Sequence, residues 1–385
     1  MLPVFGVGDI FPVLSGGQKA AYCLYGALNR YMACRYVFLD PQFDGIETGV
    51  YPNGLSYARV GGRAARSGIN SLAVHKLVYR DGPTRNILRT ARTRLIVEPL
   101  RAFALDAPAM VITSFPWPWA VLEPCAQGKL VVYDSYNFEY HLGQERLAAG
   151  KLDRRSLQVQ LALERGLSRR ADILLACSQA DAQAYAKEFG VDSSKIHTGF
   201  KGASVPEELP RRKPVADKVA LFVGSDWPAN NEAALLIVRQ IAPRLPQVRF
   251  RIVGGCSRVL PGELPGNVSV AGFVEDLKTE LDAATVALNP MRSGSGINMK
   301  LLEYLAVGIP VVSTEFGMRG LEGGALAAVK VATPESFPAA IEALTSDLAT
   351  MESMRQLGHA YARRHLDWDA IARRFAGMMT PYIQA

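Results

Sequence analysis

The sequence predicts an α/β protein of two Rossmann-like domains, each built on a buried parallel sheet, and three observations carry that expectation. The chain has 385 residues, more than one ordinary core serves, so two domains of roughly 150–200 residues each are expected. Apolar runs of strand length recur in both halves and are continuous rather than alternating, as in strands covered on both faces. Helical patterns separate most of them, as crossover helices separate parallel strands.

The second half is the clearer. Strands are expected at "VALFVGS" (219–225), "VRFRIVGG" (248–255), "VSVAGFV" (268–274), "VALNP" (286–290), "IPVVST" (309–314) and "AAVKVA" (327–332). Helices are expected at 230–245, at 276–284 and in the leucine-rich stretch after residue 297. The first half repeats the scheme with strands at 36–40, 110–114, 129–135 and 172–178 and helices at 21–32 and 155–171. Three prolines and mixed charge in "KGASVPEELPRRKPVADK" (201–218) mark the boundary. The expected domains are therefore 1–200 and 201–365, with a closing amphipathic helix in 366–385.

Composition narrows the class. Hydrophobic residues make up 49% and charged residues 21%, as in globular proteins. The cysteines Cys23, Cys34, Cys125, Cys177 and Cys256 are odd in number and form no C-x-x-C, and the histidines are dispersed. That pattern argues for reduced thiols and against a zinc site. No signal-peptide pattern and no apolar run of about 18–20 residues are visible, so a cytoplasmic protein, at most peripheral on a membrane, is expected. The net charge of +7 is uneven: Arg59 to Arg101 carries ten Lys or Arg against two acids. Within it Arg85, Arg89 and Arg92 fall at i, i+4 and i+7, a cationic stripe suited to an anionic membrane surface. A solvated helical face is the alternative. No recognised nucleic-acid motif accompanies it.

The stretch "RSGSGINMKLLEYLAVGIPVVST" (292–314) holds the strongest chemical signal. Its loop follows an expected strand and opens a helix, the edge at which parallel sheets bind ligands. Gly294 and Gly296 let backbone N–H groups approach an anion, and the helix dipole favours negative charge there. Lys300 and Glu303, three apart, share one helix face while Leu301, Leu302 and Leu305 can face the core. The ammonium suits a phosphate, and the carboxylate suits a pair of ribose hydroxyls. An ordinary capped helix with an exposed Lys300–Glu303 ion pair is the alternative.

From Val219 to Gly320 the chain resembles the nucleotide-binding half of the family 4 (group 1) retaining glycosyltransferases, which have the GT-B fold of two Rossmann-like domains facing across a cleft. "FVGSDWPANNEAA" resembles the first strand-loop-helix of a subset with a Pro-Asn helix start, and "VSVAGFVEDLKTELDAATVALNP" a later strand and helix. "GSGINMKLLEYLAVGIPVVST" is similar to the donor-site signature. Weaker likenesses lie at 12–28 and 174–199.

The resemblance implies an acceptor-binding first domain, a nucleotide-sugar-binding second domain and a last helix crossing back to the first. Glu303 would bind the donor's ribose and Lys300 its phosphate, these two forming the catalytic pair. Gly294, Ser295, Gly296 and Ile297 would surround donor phosphate and sugar, with Gly224 and Ser225 beside them in the first strand-loop-helix. Phe273 and Val274 would lie along the nucleobase, with core packing as the alternative for Phe273. Gly16 and Gly17 would approach the diphosphate, with a plain helix-opening turn as the alternative. Trp368 falls where the family's closing helix commonly carries a tryptophan, a structural anchor being the readier reading than a ligand contact.

Three departures stand out. Ser295 occupies the place of the first glutamate in the family's Glu-x7-Glu motif. The cations that often clamp the diphosphate are missing from "GSDWPANN". Tyr136 stands where the first domain usually has a histidine, leaving Asn137, Glu139 and His141 as nearby polar candidates on the acceptor side. "DWD" (367–369) matches the metal-binding D-x-D of another glycosyltransferase class, yet Asp367 reads as the N-cap of the last helix.

The expectation is thus a retaining transfer of sugar from a nucleotide diphosphate to an acceptor hydroxyl, with no metal or other cofactor. A saccharide or lipid-linked acceptor in cell-surface polysaccharide or glycolipid assembly is the expected setting. A non-catalytic nucleotide-sugar-binding or scaffolding protein of the same fold is the rival.

Overall fold

The computed structural model describes residues 1–40, 43, 45–61, 94–107, 109–210, 218–321 and 323–383. Arg85, Arg89 and Arg92 lie outside the described residues, as does 211–217 of the expected boundary. The chain divides into two compact units, Met1–Phe200 with the chain from Ile371 on, and Lys201–Ala370.

The first unit is built on an eight-stranded sheet in the order β3-β4-β2-β1-β5-β6-β7-β8. Its strands are β1 (Leu2–Gly6), β2 (Cys34–Asp40), β3 (Ile46–Val50), β4 (Ser56–Gly61), β5 (Met110–Thr113), β6 (Leu130–Asp134), β7 (Ile173–Leu175) and β8 (Ile196–His197). Only the β3–β4 pairing is antiparallel among those described. Strand β3 alternates between exposed and partly buried residues along this edge, so it offered no continuous apolar run.

The helix expected at 21–32 is Gly16–Leu28 instead. Ser15 Oγ accepts from Gln18 N and starts it five residues early. Asn29 ends it by turning its side chain outward, Oδ1 to Cys34 N and Nδ2 to Gly54 O.

The second unit carries a six-stranded sheet, parallel throughout, in the order β11-β10-β9-β12-β13-β14. Here β9 is Val219–Val223, β10 Arg249–Val253, β11 Val268–Gly272, β12 Val286–Asn289, β13 Val311–Ser313 and β14 Val329–Val331. Each falls within an apolar run read from the sequence. The helix expected at 230–245 starts at Pro228, where a missing N–H costs nothing, and keeps α geometry to Leu236. It then widens through Ile237–Ile241 and tightens through Ala242–Arg244 around Pro243, which cannot continue a helix.

Asp367 Oδ1 accepts from Ala370 N at 2.9 Å and so caps the final helix, Trp368–Ile383. Trp368 is buried. From Ile371 this helix belongs to the first unit, with Arg374 over the Phe200 ring and Phe375 against the same ring. Among the described residues no helix is long and apolar enough to cross a membrane.

Candidate functional site

Strand order locates the site in the second unit. The chain lays β10 and β11 on one side of β9, then returns to place β12 on the other. Helices leaving β9 and β12 therefore diverge, and the crevice beyond their carboxyl ends is where open α/β sheets bind ligands. The loop after β9 carries Gly224 and Ser225, and the loop after β12 carries Met291 to Asn298. Gly224 is buried so tightly that a Cβ would stand 3.0 Å from both Asn230 Cβ and Cys256 Sγ.

The helix Met299–Ala306 leaves that second loop. Leu301, Leu302 and Leu305 are buried, as their spacing requires. Tyr304 Oη accepts from Val223 N at 2.9 Å, fastening the helix to the end of β9. Asn298 stands at the N-cap but does not cap. Its amide donates to Gly317 O at 2.7 Å instead. The helix N-terminus keeps its first-turn N–H groups without a side-chain cap or an acidic neighbour in the first turn, as an anion site requires.

Lys300 projects beside those groups. Its Nζ lies 2.7 Å from Asn230 Oδ1, 3.6 Å from Met291 Sδ and 5.1 Å from the Phe222 ring centroid. Burial pulls its pKa down to about 7, and Arg319 adds like-charge repulsion. Glu303 is buried on the next turn. The exposed Lys300–Glu303 pair is therefore not what this helix carries: the ammonium turns to Asn230 and the carboxylate is withdrawn from solvent.

The loop is rigidly held. Gly294 (φ +122°) and Gly296 (φ +61°) occupy backbone conformations that favour glycine. Arg292 Nη2 and Ser293 Oγ bind the two oxygens of Glu232 at 2.7 and 2.8 Å. On the other side Arg319 donates to Gly296 O, Ser295 O and Phe316 O. Ile297 packs so closely on Gly320 that a Cβ there would meet it at 2.8 Å. Phe273, beyond β11, is 65% exposed, which removes core packing as its reason, while Val274 is half-buried against the core.

In the first unit the analogous switch point lies between β1 and β5. Gly16 and Gly17 open the helix beyond β1, and a Cβ on Gly17 would rest 3.8 Å from the Tyr136 ring. Tyr136 stacks on Phe115, centroids 5.2 Å apart and planes 9° apart. Burial pushes its hydroxyl well above the usual range. Asn137 Nδ2 donates to Glu139 Oε1 at 3.0 Å, and burial raises the Glu139 carboxyl. The structure thus brings Gly17 to Tyr136 and Asn137 to Glu139. It sends His141 elsewhere, to an exposed pair with Glu188 at 2.7 Å.

Three residues escaped the sequence reading: Asn230, Asn298 and Arg319. Asn230 stands two residues into the helix that begins at Pro228, and Asn298 is a cap-type residue preceding Lys300. Arg319 had only one signal, a cation between strand end and glycine in "FGMRG".

With this geometry in hand, residues 217–347 match the family described as glycosyl transferases group 1. That stretch, within the second unit, is a group 1 glycosyl transferase domain. No curated protein matches it by sequence. Among solved structures it is similar to sucrose-phosphate synthase (tll1590) from Thermosynechococcus elongatus, at TM-score 0.71 and 16% identity, covering 100% of each chain. It is similar to Anabaena Alr3699/HepE in complex with UDP, at TM-score 0.66 and 14% identity over 99% of this chain and 100% of that one. WaaG, a glycosyltransferase involved in lipopolysaccharide biosynthesis, matches at TM-score 0.64 and 14% identity, with the same coverage. At these identities the similarity is one of fold: this glycosyltransferase has the two Rossmann-like α/β units of GT-B.

Proposed function

We propose that this glycosyltransferase moves a sugar, with retention, from a nucleotide-diphosphate donor to an acceptor hydroxyl. The observation that carries the reading is the uncapped N-terminus of helix Met299–Ala306 with Lys300 beside it. A leaving nucleoside diphosphate gains negative charge as the glycosidic bond breaks. Backbone N–H groups and an ammonium fixed in advance stabilise that charge without reorganising. Glu303, one turn on, accepts from the ribose hydroxyls, Phe273 offers its exposed face to the base, and Gly224 admits the backbone close to the phosphates. In this reading the donor phosphate assists deprotonation of an acceptor that attacks from the same face. No pair of carboxylates flanking the bond is needed, unlike the usual glycosidase.

The complex of Alr3699/HepE with UDP supports a nucleotide-sugar donor, and the fold shared with WaaG fits cell-surface glycan or glycolipid assembly. Activity should persist in EDTA, because protein cations and amides supply the charge. The basic stretch with Arg85, Arg89 and Arg92 suits an anionic leaflet presenting a lipid-linked acceptor. Salt-sensitive co-sedimentation with anionic but not neutral vesicles tests that part.

Transfer and donor-hydrolysis assays across a panel of nucleotide sugars test the main reading. Tight binding with no turnover on any acceptor or on water would instead favour the non-catalytic binder. Tyr136, stacked on Phe115 in the place of a histidine, is the observation on that side.

A further inference from the structure

We propose that Arg319 is a positioning residue for the donor's diphosphate, acting through the loop Gly294–Ile297 and not by touching the ligand; this rests on the donor-site reading above. In a trans peptide the C=O and the following N–H point in opposite directions. Arg319 Nε donates to Gly296 O at 2.9 Å and Nη2 to Ser295 O at 3.1 Å. Those two bonds hold both carbonyls on the guanidinium side, so the N–H groups of Gly296 and Ile297 point away from it. Among the described residues no acceptor meets either N–H.

Without such a clamp, a loop of two glycines has many backbone states, and its carbonyls compete with its N–H groups for the face toward an anion. A carbonyl turned to a diphosphate repels it. Arg319 settles the choice. The fork of a guanidinium suits this task because its donors lie in one plane at fixed spacing, whereas an ammonium is a point charge.

Several contacts hold Arg319 itself. Its Nη1 donates to Phe316 O at 3.2 Å and its guanidinium lies 4.3 Å from the Phe316 ring centroid. Gly317, between them, is locked by Asn289 and Ser313: a Cβ there would come within 2.5 Å of Ser313 Oγ. Asn289 Nδ2 donates to both Ser313 Oγ and Gly317 O. At Gly294, whose φ of +122° itself favours glycine, a Cβ would stand 2.9 Å from Arg319 Nη2 and push the guanidinium aside. The cations missing after β9 are thus offset in part by orientation of backbone dipoles from the far side of the loop.

Inorganic pyrophosphate is the probe, since it carries the diphosphate without base or sugar. Its affinity, and that of UDP, ADP and GDP, is measured by calorimetry for wild type, Arg319→Lys and Arg319→Ala, with the parent nucleosides as controls. Each protein's melting temperature is recorded alongside. The expected result is a loss of roughly tenfold or more for pyrophosphate in both variants, with nucleoside binding unchanged. Millimolar guanidinium should restore part of the loss in Arg319→Ala. Pyrophosphate binding equal to wild type in either folded variant overturns the inference, as does an equal loss for nucleoside and pyrophosphate. A wild-type chain that binds neither pyrophosphate nor any of the nucleotides overturns the donor-site reading itself.

Discussion

Two helices of this protein begin just beyond the carboxyl ends of central parallel strands, and they treat their N-termini in opposite ways. Helix Glu139–Ala148 follows β6, and its first N–H groups are taken: Glu164 Oε1 accepts from Glu139 N at 2.8 Å and Oε2 from Tyr140 N at 2.7 Å. Tyr185 Oη donates to the same carboxylate. Helix Met299–Ala306 follows β12, and its Asn298 turns away to Gly317. One end has been satisfied by the fold, and the other has no side-chain cap. Burial and the neighbouring Glu139 push Glu164 up to about 8, whereas burial pulls Lys300 down to about 7. The first belongs to a hydrogen-bonded network that holds the loop after β6 in place, and the second is the group proposed above to meet the donor's phosphate.

The largest expected effect breaks the open end. Lys300→Ala should lower turnover at saturating donor by about 10²–10³-fold, the scale of losing one preorganised charge-stabilising group, with a smaller loss in donor affinity. Steady-state kinetics at saturating donor decides; an unchanged rate would make the open helix no more functional than the capped one. Glu303→Ala should follow, costing about 1.5–3 kcal/mol of donor affinity, or roughly 10–150-fold, with the fold intact. Nucleotide titration of the folded variant measures it.

The pH dependence sharpens the contrast further. With its free pKa lowered to about 7, Lys300 is charged below that value and increasingly neutral above it. A bound diphosphate favours the charged form, so binding takes up a proton above pH 7. Diphosphate affinity should therefore fall by up to about tenfold per unit as pH rises from 7 to 9. Lys300→Arg, which stays charged, should flatten that slope. Titration calorimetry at several pH values in buffers of different ionisation enthalpy reads both affinity and proton uptake.

The smallest effect is expected in the first unit. Tyr136→Phe keeps the stack on Phe115 and removes only a hydroxyl, so nucleotide affinity should stay within about twofold. Acceptor-dependent turnover is the quantity to watch. A large loss of nucleotide affinity would show that this edge also reads the donor.

The same contrast explains what the sequence revealed. Strands β9, β12 and β13 are buried along most or all of their length and read as continuous apolar runs, the more exposed edge strands β11 and β14 still keep apolar runs, and the loop glycines, Lys300 and Glu303 lie within one short stretch. Period places those strands, and local chemistry singles out the loop. Strand β3, an antiparallel edge with exposed Ile46 and Val50, has no such run. The network around Glu164 joins residues far apart in the chain, and spacing carries no trace of it. His141 shows the same limit: its partner Glu188 lies 47 residues on, out of reach of local pattern. Arg319 is legible only once β13 is seen beside β12.

The most direct measurement is a crystal structure with the nucleoside diphosphate that most raises the chain's melting temperature; a ligand at 100 times its dissociation constant adds about 2.7 kcal/mol. The account predicts diphosphate oxygens within hydrogen-bond distance of the Gly294–Ile297 amides and Lys300 Nζ, with the ribose hydroxyls on Glu303. A nucleotide bound away from helix Met299–Ala306, with that N-terminus still open to solvent, would contradict it.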